Sequence, residues 1–514
     1  MKFDPHEEVV AETGALRALH EAGSRVVLAH EEREISGGEA HEIVQRMAKV
    51  LTAHGLTHGS AIAMLSMNLP EAYLAQLAGQ HIGARYTPLH PMGSLSDHTL
   101  VLGDAEIDCL IYDPRLFAGR AAELREAGAV ALTLALGPDV GEPDLIELAA
   151  YESPDPTPPA PVRGEETGLL YYTGGTTGSP KGVMHSRFGS WYSMALMGGG
   201  PTSHNAAPPR QLICTPISHA GGALIAPTIM RGGSVVLVDK FDPQEFLCVI
   251  ERRQVTQTFL VPTMIYALLD HLRDHPTIDV SILTEVLYGA APMSPSRLRE
   301  GIERIGPVFV QGYGQTEIGV NILRLESADH RLDRPDLLAS AGRPTIGVVA
   351  SIRHEDGAEA DPNEVGELCL RGPMVMKGYW KNPELTAHAL RGGWLHTDDM
   401  GFMDADGFIT LVDRRKDMII SGGFNVYPSE VENAISELAQ VSSCAVIGVP
   451  DERWGEAVKA FVVRHPDAKL TQQQVIDHVR ERKGPVQAPK SVEFIAELPK
   501  TPLGKLDKKA LRAR

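Results

Sequence analysis

Residues 171–186 read YYTGGTTGSPKGVMHS. The run holds four glycines and three threonines, with Lys181 as its one lysine, and it follows the apolar pair Leu169-Leu170. A strand leading into such a turn has what a phosphate cradle needs. Glycine lets successive backbone N–H groups point at an anion, hydroxyls add donors, and a lysine supplies a mobile positive charge. The spacing is not GxxxxGK[ST], because Ser179 and Pro180 precede the lysine and Gly182 follows it. A glycine-rich turn alone reads equally well as a plain connection; the order TGGTTGSPKG is far more specific.

Helix-like and strand-like stretches alternate on both sides of this run. Residues 40–56 place Ile43, Met47, Val50 and Leu51 at helical spacing, with Gly55 as the stop. Residues 60–67 predict a buried strand, and residues 69–84 a helix with proline in its first turn. Repetition of this order predicts an α/β fold with largely parallel sheets. Residues 151–166, YESPDPTPPAPVRGEE, read as an exposed connector into the glycine-rich run. After residues 411–428 the pattern becomes a small α/β unit: helix 428–439, strands 443–449 and 458–464, helix 471–483.

The chain has 514 residues and a formal charge of −18, with 43% hydrophobic residues. That length suggests two or three domains. The acidic balance argues against nucleic acid and anionic membrane surfaces as partners. Five scattered cysteines with no CxxC pair predict neither a disulfide framework nor a zinc site, and point to a reducing cytoplasm. The opening MKFDPHEEVV lacks the apolar core of a signal peptide, and no apolar run is long enough to span a membrane.

TGGTTGSPKG resembles the phosphate loop of the adenylate-forming superfamily, which includes acyl-CoA synthetases, carrier-protein adenylation domains and beetle luciferases. Five more segments resemble that family's motifs in order: PISHAGG (216–222), YGAAP (288–292), QGYGQTE (311–317), WLHTDDMGF (394–402) with DRRKDMIISGGFNVYPSEVE (413–432), and PKTPLGKLDK (499–508). The resemblance implies a large N-terminal domain of mixed and parallel sheets flanked by helices over 1–412, and a small mobile α/β domain over 413–514. It implies a two-step ligase. A carboxylate attacks the α-phosphate of ATP, giving acyl-adenylate and pyrophosphate; a thiol then takes the acyl group and AMP leaves. A carboxylate is ionised at neutral pH, with an unperturbed pKa of about 4, so the first step needs positive charge and oriented donors rather than a base.

By resemblance, Thr173, Gly174, Gly175, Thr176, Thr177 and Lys181 hold the β- and γ-phosphates. Glu317, with Thr177, binds Mg²⁺, a hard cation suited to oxygen ligands. Thr316 bonds phosphate and Tyr313 stacks on adenine. Gly289, Ala290, Ala291 and Pro292 border the base, with Gln311, Gly312 and Gly314 beside it. Asp399 holds the ribose hydroxyls and Arg414 contacts ribose or phosphate. The family shows T-G-D where this chain has Thr397-Asp398-Asp399, which leaves two candidate aspartates. Lys505 bridges the substrate carboxylate and the α-phosphate; a plain basic tail is its competing reading, since Lys500, Lys508, Lys509, Arg512 and Arg514 lie nearby. Lys416 marks the hinge, and Gly422 and Gly423 border the CoA tunnel. Beetle luciferases carry lysines that align with Ile420 and Gly422, which points away from that branch.

The acyl pocket is implied at Gly199, His219, Gly221, Gly222, Tyr288, Gly289 and Gly314. His219 is read as a catalytic or gating group, or as a satisfied, partly buried histidine. The small residues here make room for a bulky acid or serve loop flexibility alone. ALIAPTIM (223–230) lacks the aspartate that holds an amino acid's ammonium, so a hydrophobic fatty, aryl or polycyclic acid is expected. The implied ligands are ATP, Mg²⁺ and CoA. A separate carrier protein and a homodimer stay open as partners, and a catalytically silent nucleotide-binding protein is the reading from another class.

Overall fold

The computed structural model describes residues 11–173, 180–198, 207–414, 417–421, 424–451, 454–466, 468–500 and 506–514. Early elements follow the sequence pattern closely. The helix Gly37–Ala53 is capped by Ser36, whose hydroxyl accepts from Glu39 N, and it buries Met47, Val50 and Leu51. The strand Ala61–Leu65 is buried throughout, and the helix Pro70–His81 starts on its proline.

Two large sheets carry most of the molecule. In the seven-stranded sheet, Leu132–Ala135, Cys109–Tyr112, Ala61–Leu65, Arg85–Pro88 and Thr167–Thr173 run parallel. The last strand folds back through an antiparallel hairpin onto Lys181–Ser186. In the nine-stranded sheet, six strands from Val26–His30 to Phe309–Gln315 run parallel, with antiparallel strands at both edges. Coverage on both faces explains the short apolar strands Ala61–Leu65 and Cys109–Tyr112, which are buried throughout. A four-stranded antiparallel sheet follows, from Val349–Arg353 to Ile409–Arg414. A five-stranded sheet closes the chain around the long pair Val441–Asp451 and Gly455–Arg464.

The C-terminal helices form where expected, at Pro428–Ser436 and Gln472–Lys483. The connector is less free than its composition predicts. Thr157 N donates to Gln45 Oε1 at 2.8 Å and its carbonyl accepts from His81 Nε2 at 3.0 Å. Proline-rich chain is thereby pinned across two helices.

Several buried histidines are fixed in the neutral form. His98 Nε2 donates to His90 O, while its Nδ1 accepts from Arg120. His330 Nδ1 donates to Glu326 O and its Nε2 faces the Tyr288 hydroxyl. Burial holds His81, His98, His185 and His330 below their ordinary value of 6.5. A depressed folded pKa means that the unfolded chain takes up protons first. Stability is therefore full above about pH 6.5 and falls as pH drops from there toward the folded values. The thermal midpoint is expected to decline between about pH 7.5 and 5.5; a flat midpoint would show that these rings protonate in place.

Candidate active site

The hairpin forms the first wall. Thr173 pairs directly with Lys181, so both stand at the mouth of the turn. Gly174, Gly175, Thr176 and Thr177 lie outside the described residues. Lys181 Nζ sits 5.7 Å from the centre of the Tyr379 ring, and Tyr379 Oη donates to Glu317 Oε1 at 2.9 Å. A cation, an aromatic face and a carboxylate thus line up beside the turn. Burial, together with the Glu317 charge, raises the Tyr379 pKa, so the hydroxyl stays a donor. His185 Nε2 donates to Thr316 O at 2.6 Å, which ties the QTE segment to the hairpin.

Strand ends Glu285–Gly289 and Phe309–Gln315 form the second wall. A Cβ on Gly289 would lie 2.1 Å from Gly312 O, one on Gly312 1.9 Å from Asn321 Oδ1, and one on Gly314 2.1 Å from Gly319 O. Gly289 and Gly314 are required by close backbone approach and Gly312 by the Asn321 side chain, and together they leave a slot without side chains. Residues 289–292 and 311–314 all border the same cavity. Tyr288 does not. Strand alternation turns its ring away between Leu287 and Gly289; it is fully buried, with its hydroxyl against His330. The expectation that Tyr288 lines the acyl pocket is corrected accordingly.

The third wall is the bulged strand Leu395–Met403. Tyr313 Oη and Gln315 Nε2 both donate to Asp399 Oδ2, each at 2.6 Å. The pairing with Gly366–Arg371 shifts register between Glu367 and Cys369. Asp398 sits at this irregularity with φ +58°, the left-handed region where the family's glycine costs nothing. Its N–H donates to Glu367 Oε1 at 3.1 Å. Asp399 is buried and bonded to Tyr313 and Gln315, whereas Asp398 is exposed. Asp399→Asn is expected to weaken ATP binding roughly ten- to hundredfold, the loss of a charge-assisted hydrogen bond. Asp398→Gly is expected to keep ATP affinity, with stability shifted by no more than about 1 kcal/mol. Calorimetric ATP titration of both variants checks the assignment; reversed effects would exchange the two roles.

Asp399 pairs in register with Arg414. The Arg414 side chain, Gly199, Lys416, Gly422, Gly423 and Lys505 lie outside the described residues. Lys500 and Leu506, which flank the undescribed residues 501–505, form a bridge with each other, and both border the cavity. Lys508 Nζ lies 3.1 Å from Glu432 and 3.9 Å from Asp413, and Ser296 Oγ donates to Ser436 O at 2.8 Å. The ion pairs lie within the C-terminal unit, and the Ser296–Ser436 hydrogen bond joins that unit to the helix Pro295–Ile305.

His219 lies on the cavity wall, its Nδ1 2.9 Å from Ser218 Oγ and its ring edge-on to His90 at 5.0 Å. Gly221 and Gly222 border the cavity too, but room for a ligand is not what excludes their side chains. A Cβ on Gly222 would lie 2.0 Å from Ile217 O, and one on Gly221 2.7 Å from Thr215 Oγ1. The cavity measures about 2630 Å³ and runs on past Met194, Leu224, Phe259 and Val261, where its wall is apolar.

A family model described as AMP-binding enzyme matches residues 11–380, and one described as AMP-binding enzyme C-terminal domain matches residues 430–505. The chain belongs to the AMP-binding enzyme family. This AMP-binding enzyme is 42% identical to the medium/long-chain-fatty-acid–CoA ligase FadD8 of Mycobacterium tuberculosis over 97% of this chain and 88% of that one. It is 37% identical to a feruloyl-CoA synthase of an Amycolatopsis species over 92% of both chains. The solved amide bond synthetase McbA of Marinactinospora thermotolerans superimposes on it with a TM-score of 0.89 and 35% identity, over 98% of this chain and 99% of that one. The expected family and the expected mixed α/β architecture are both met. Sequence reading missed Tyr379, Gln315 and His185 as residues that position the site. Gln315 and His185 lie inside quoted motifs and carried a signal; Tyr379 lies 62 residues from Glu317 and carried none.

Proposed function

We propose that this enzyme activates a hydrophobic fatty or aryl carboxylic acid as the acyl-adenylate and passes the acyl group to CoA. The observation that carries the reading is one continuous cavity. It joins the Thr173–Lys181 turn and Glu317 to Asp399, and extends into the apolar wall of Leu224, Phe259 and Val261. An α-ammonium against that wall would lack a counter-charge, which favours an acid without an amino group.

In the first step the acid's carboxylate oxygen bonds to the α-phosphorus while the bond to pyrophosphate breaks. Lys181 and Thr173 hold the departing phosphates, and Asp399, positioned by Tyr313 and Gln315, holds the ribose. The Glu317 carboxylate, aimed by Tyr379, is the described group suited to Mg²⁺, which would offset charge on the phosphate oxygens. In the second step the thiol sulfur attacks the acyl carbon, AMP leaves, and the thiol proton passes to solvent. Five cysteines without a disulfide fit a reducing cytoplasm. Among the described residues, no helix is long and apolar enough to cross a membrane.

Pyrophosphate release is the test, measured with ATP and Mg²⁺ across linear, cinnamic and polycyclic acids, with and without CoA. A CoA-dependent thioester seen by mass is the expected product. Pyrophosphate without thioester would move the acceptor to a carrier-protein arm or an amine, and silence with every acid would overturn the reading.

A further inference from the structure

The sheet that carries Asp399 holds a second cluster of side chains. Cys369 stands directly opposite His396, and Glu367 lies two residues along on the Cys369 side. A carboxylate oxygen of Glu367, Sγ of Cys369 and a ring nitrogen of His396 all lie within 4.8 Å of one another. His396 Nδ1 is 2.8 Å from Glu367 Oε2 and 3.4 Å from Cys369 Sγ. An ion with Zn–S of about 2.3 Å and Zn–N and Zn–O of about 2.0–2.1 Å spaces tetrahedral ligand atoms roughly 3.3–3.6 Å apart. The cluster is close to that spacing without any backbone movement.

The shared atom matters. Both short contacts are made by Nδ1, so one ion in place of the proton there reaches all three ligands. A nucleophile–base–acid relay would instead use one ring nitrogen for each neighbour. Glu367 and Cys369 are buried, and the His396 side chain is 11% exposed, which leaves a way in. None of the three has a part in the proposed ligase chemistry.

We propose that Glu367, Cys369 and His396 form a site for a thiophilic divalent ion such as Zn²⁺, with water as the fourth ligand. Loading releases the Sγ proton to solvent, while the imidazole stays neutral with its proton moved from Nδ1 to Nε2. Arg391 is the built-in competitor: its Nη2 lies 3.2 Å from the same Glu367 Oε2, on a side chain 41% exposed. The site is also coupled to the nucleotide, because Glu367 Oε1 holds the Asp398 N–H at the bulge that presents Asp399.

Co²⁺ titrated into the full-length, metal-free enzyme tests this by absorbance alone, independently of any ligase activity. A saturable thiolate-to-cobalt charge-transfer band, competed by Zn²⁺, is expected. The band should vanish in Cys369→Ser and persist in Cys248→Ser, whose cysteine is exposed elsewhere. Arg391→Gln should tighten Co²⁺ several-fold, a gain that a misfolded variant would not produce. A band absent from the parent enzyme, a band surviving in Cys369→Ser, or an Arg391→Gln variant with unchanged affinity would overturn the site.

Discussion

Glu317→Ala is expected to lower kcat/KM for ATP-dependent pyrophosphate release by roughly 10²–10⁴-fold, the several kcal/mol that a held metal ion contributes at a phosphoryl group. The geometry makes the loss specific. Tyr379 Oη donates to this carboxylate and Lys181 lies over the Tyr379 ring, so alanine removes the one carboxylate at the end of a three-residue array. Glu317→Gln separates two roles. It keeps an acceptor for Tyr379 but removes the charge, so a metal-holding Glu317 predicts failure of both variants. Near-parent activity of the glutamine variant would reduce Glu317 to a positioning residue. Tyr379→Phe should cost far less, about 1 kcal/mol for one hydrogen bond. Mg²⁺ titrations of all three variants distinguish these outcomes.

Lys505→Ala is expected to slow adenylation by about 10²–10³-fold, as for the loss of one preorganised electrostatic group in a transition state. Thioester formation from supplied acyl-adenylate and CoA should survive. The asymmetry follows from charge. The first step joins an anion to a polyanion and needs a cation between them. The second step attacks an acyl carbon already activated by AMP. Lys505 itself lies outside the described residues, but Lys500 and Leu506, which flank it in the chain, border the cavity. Single-turnover assays of each half-reaction decide the matter; equal loss in both would show that Lys505 does not act in the first step alone.

The legible part of the site was its local chemistry. Glycine-rich turns, a QTE segment and the aspartate pair each announce themselves within a few residues, because a phosphate or ribose contact needs a particular residue type at a particular backbone position. The helices Gly37–Ala53 and Pro70–His81 were legible in the spacing of their apolar residues and the placing of proline. Long-range partners were not. Tyr379 reaches Glu317 only because the short strand Gly378–Tyr379 adds to the edge of the hairpin. Tyr288 was misplaced because a motif quoted as a unit ignores the alternation of a strand. Gly221 and Gly222 were read either as room for substrate or as loop flexibility, and the carbonyl of Ile217 and the side chain of Thr215 fill the space beside them. Alignment on Thr397 already favoured Asp399 over Asp398, and the burial and hydrogen bonds of Asp399 agree with that choice.

The main-chain slot at Gly289, Gly312 and Gly314 divides the cavity by how it can vary. On the side proposed for the nucleotide, a substitution at these glycines meets a backbone carbonyl or the Asn321 amide at about 2 Å. On the acyl side the surface is made of Met194, Leu224, Phe259 and Val261, each exchangeable for a side chain of another size. A mutagenesis library over the whole cavity should therefore return two populations: inactive clones from the first side, and clones with altered acid preference and unchanged ATP use from the second. The fold keeps its energy source fixed while leaving its choice of acid open to drift.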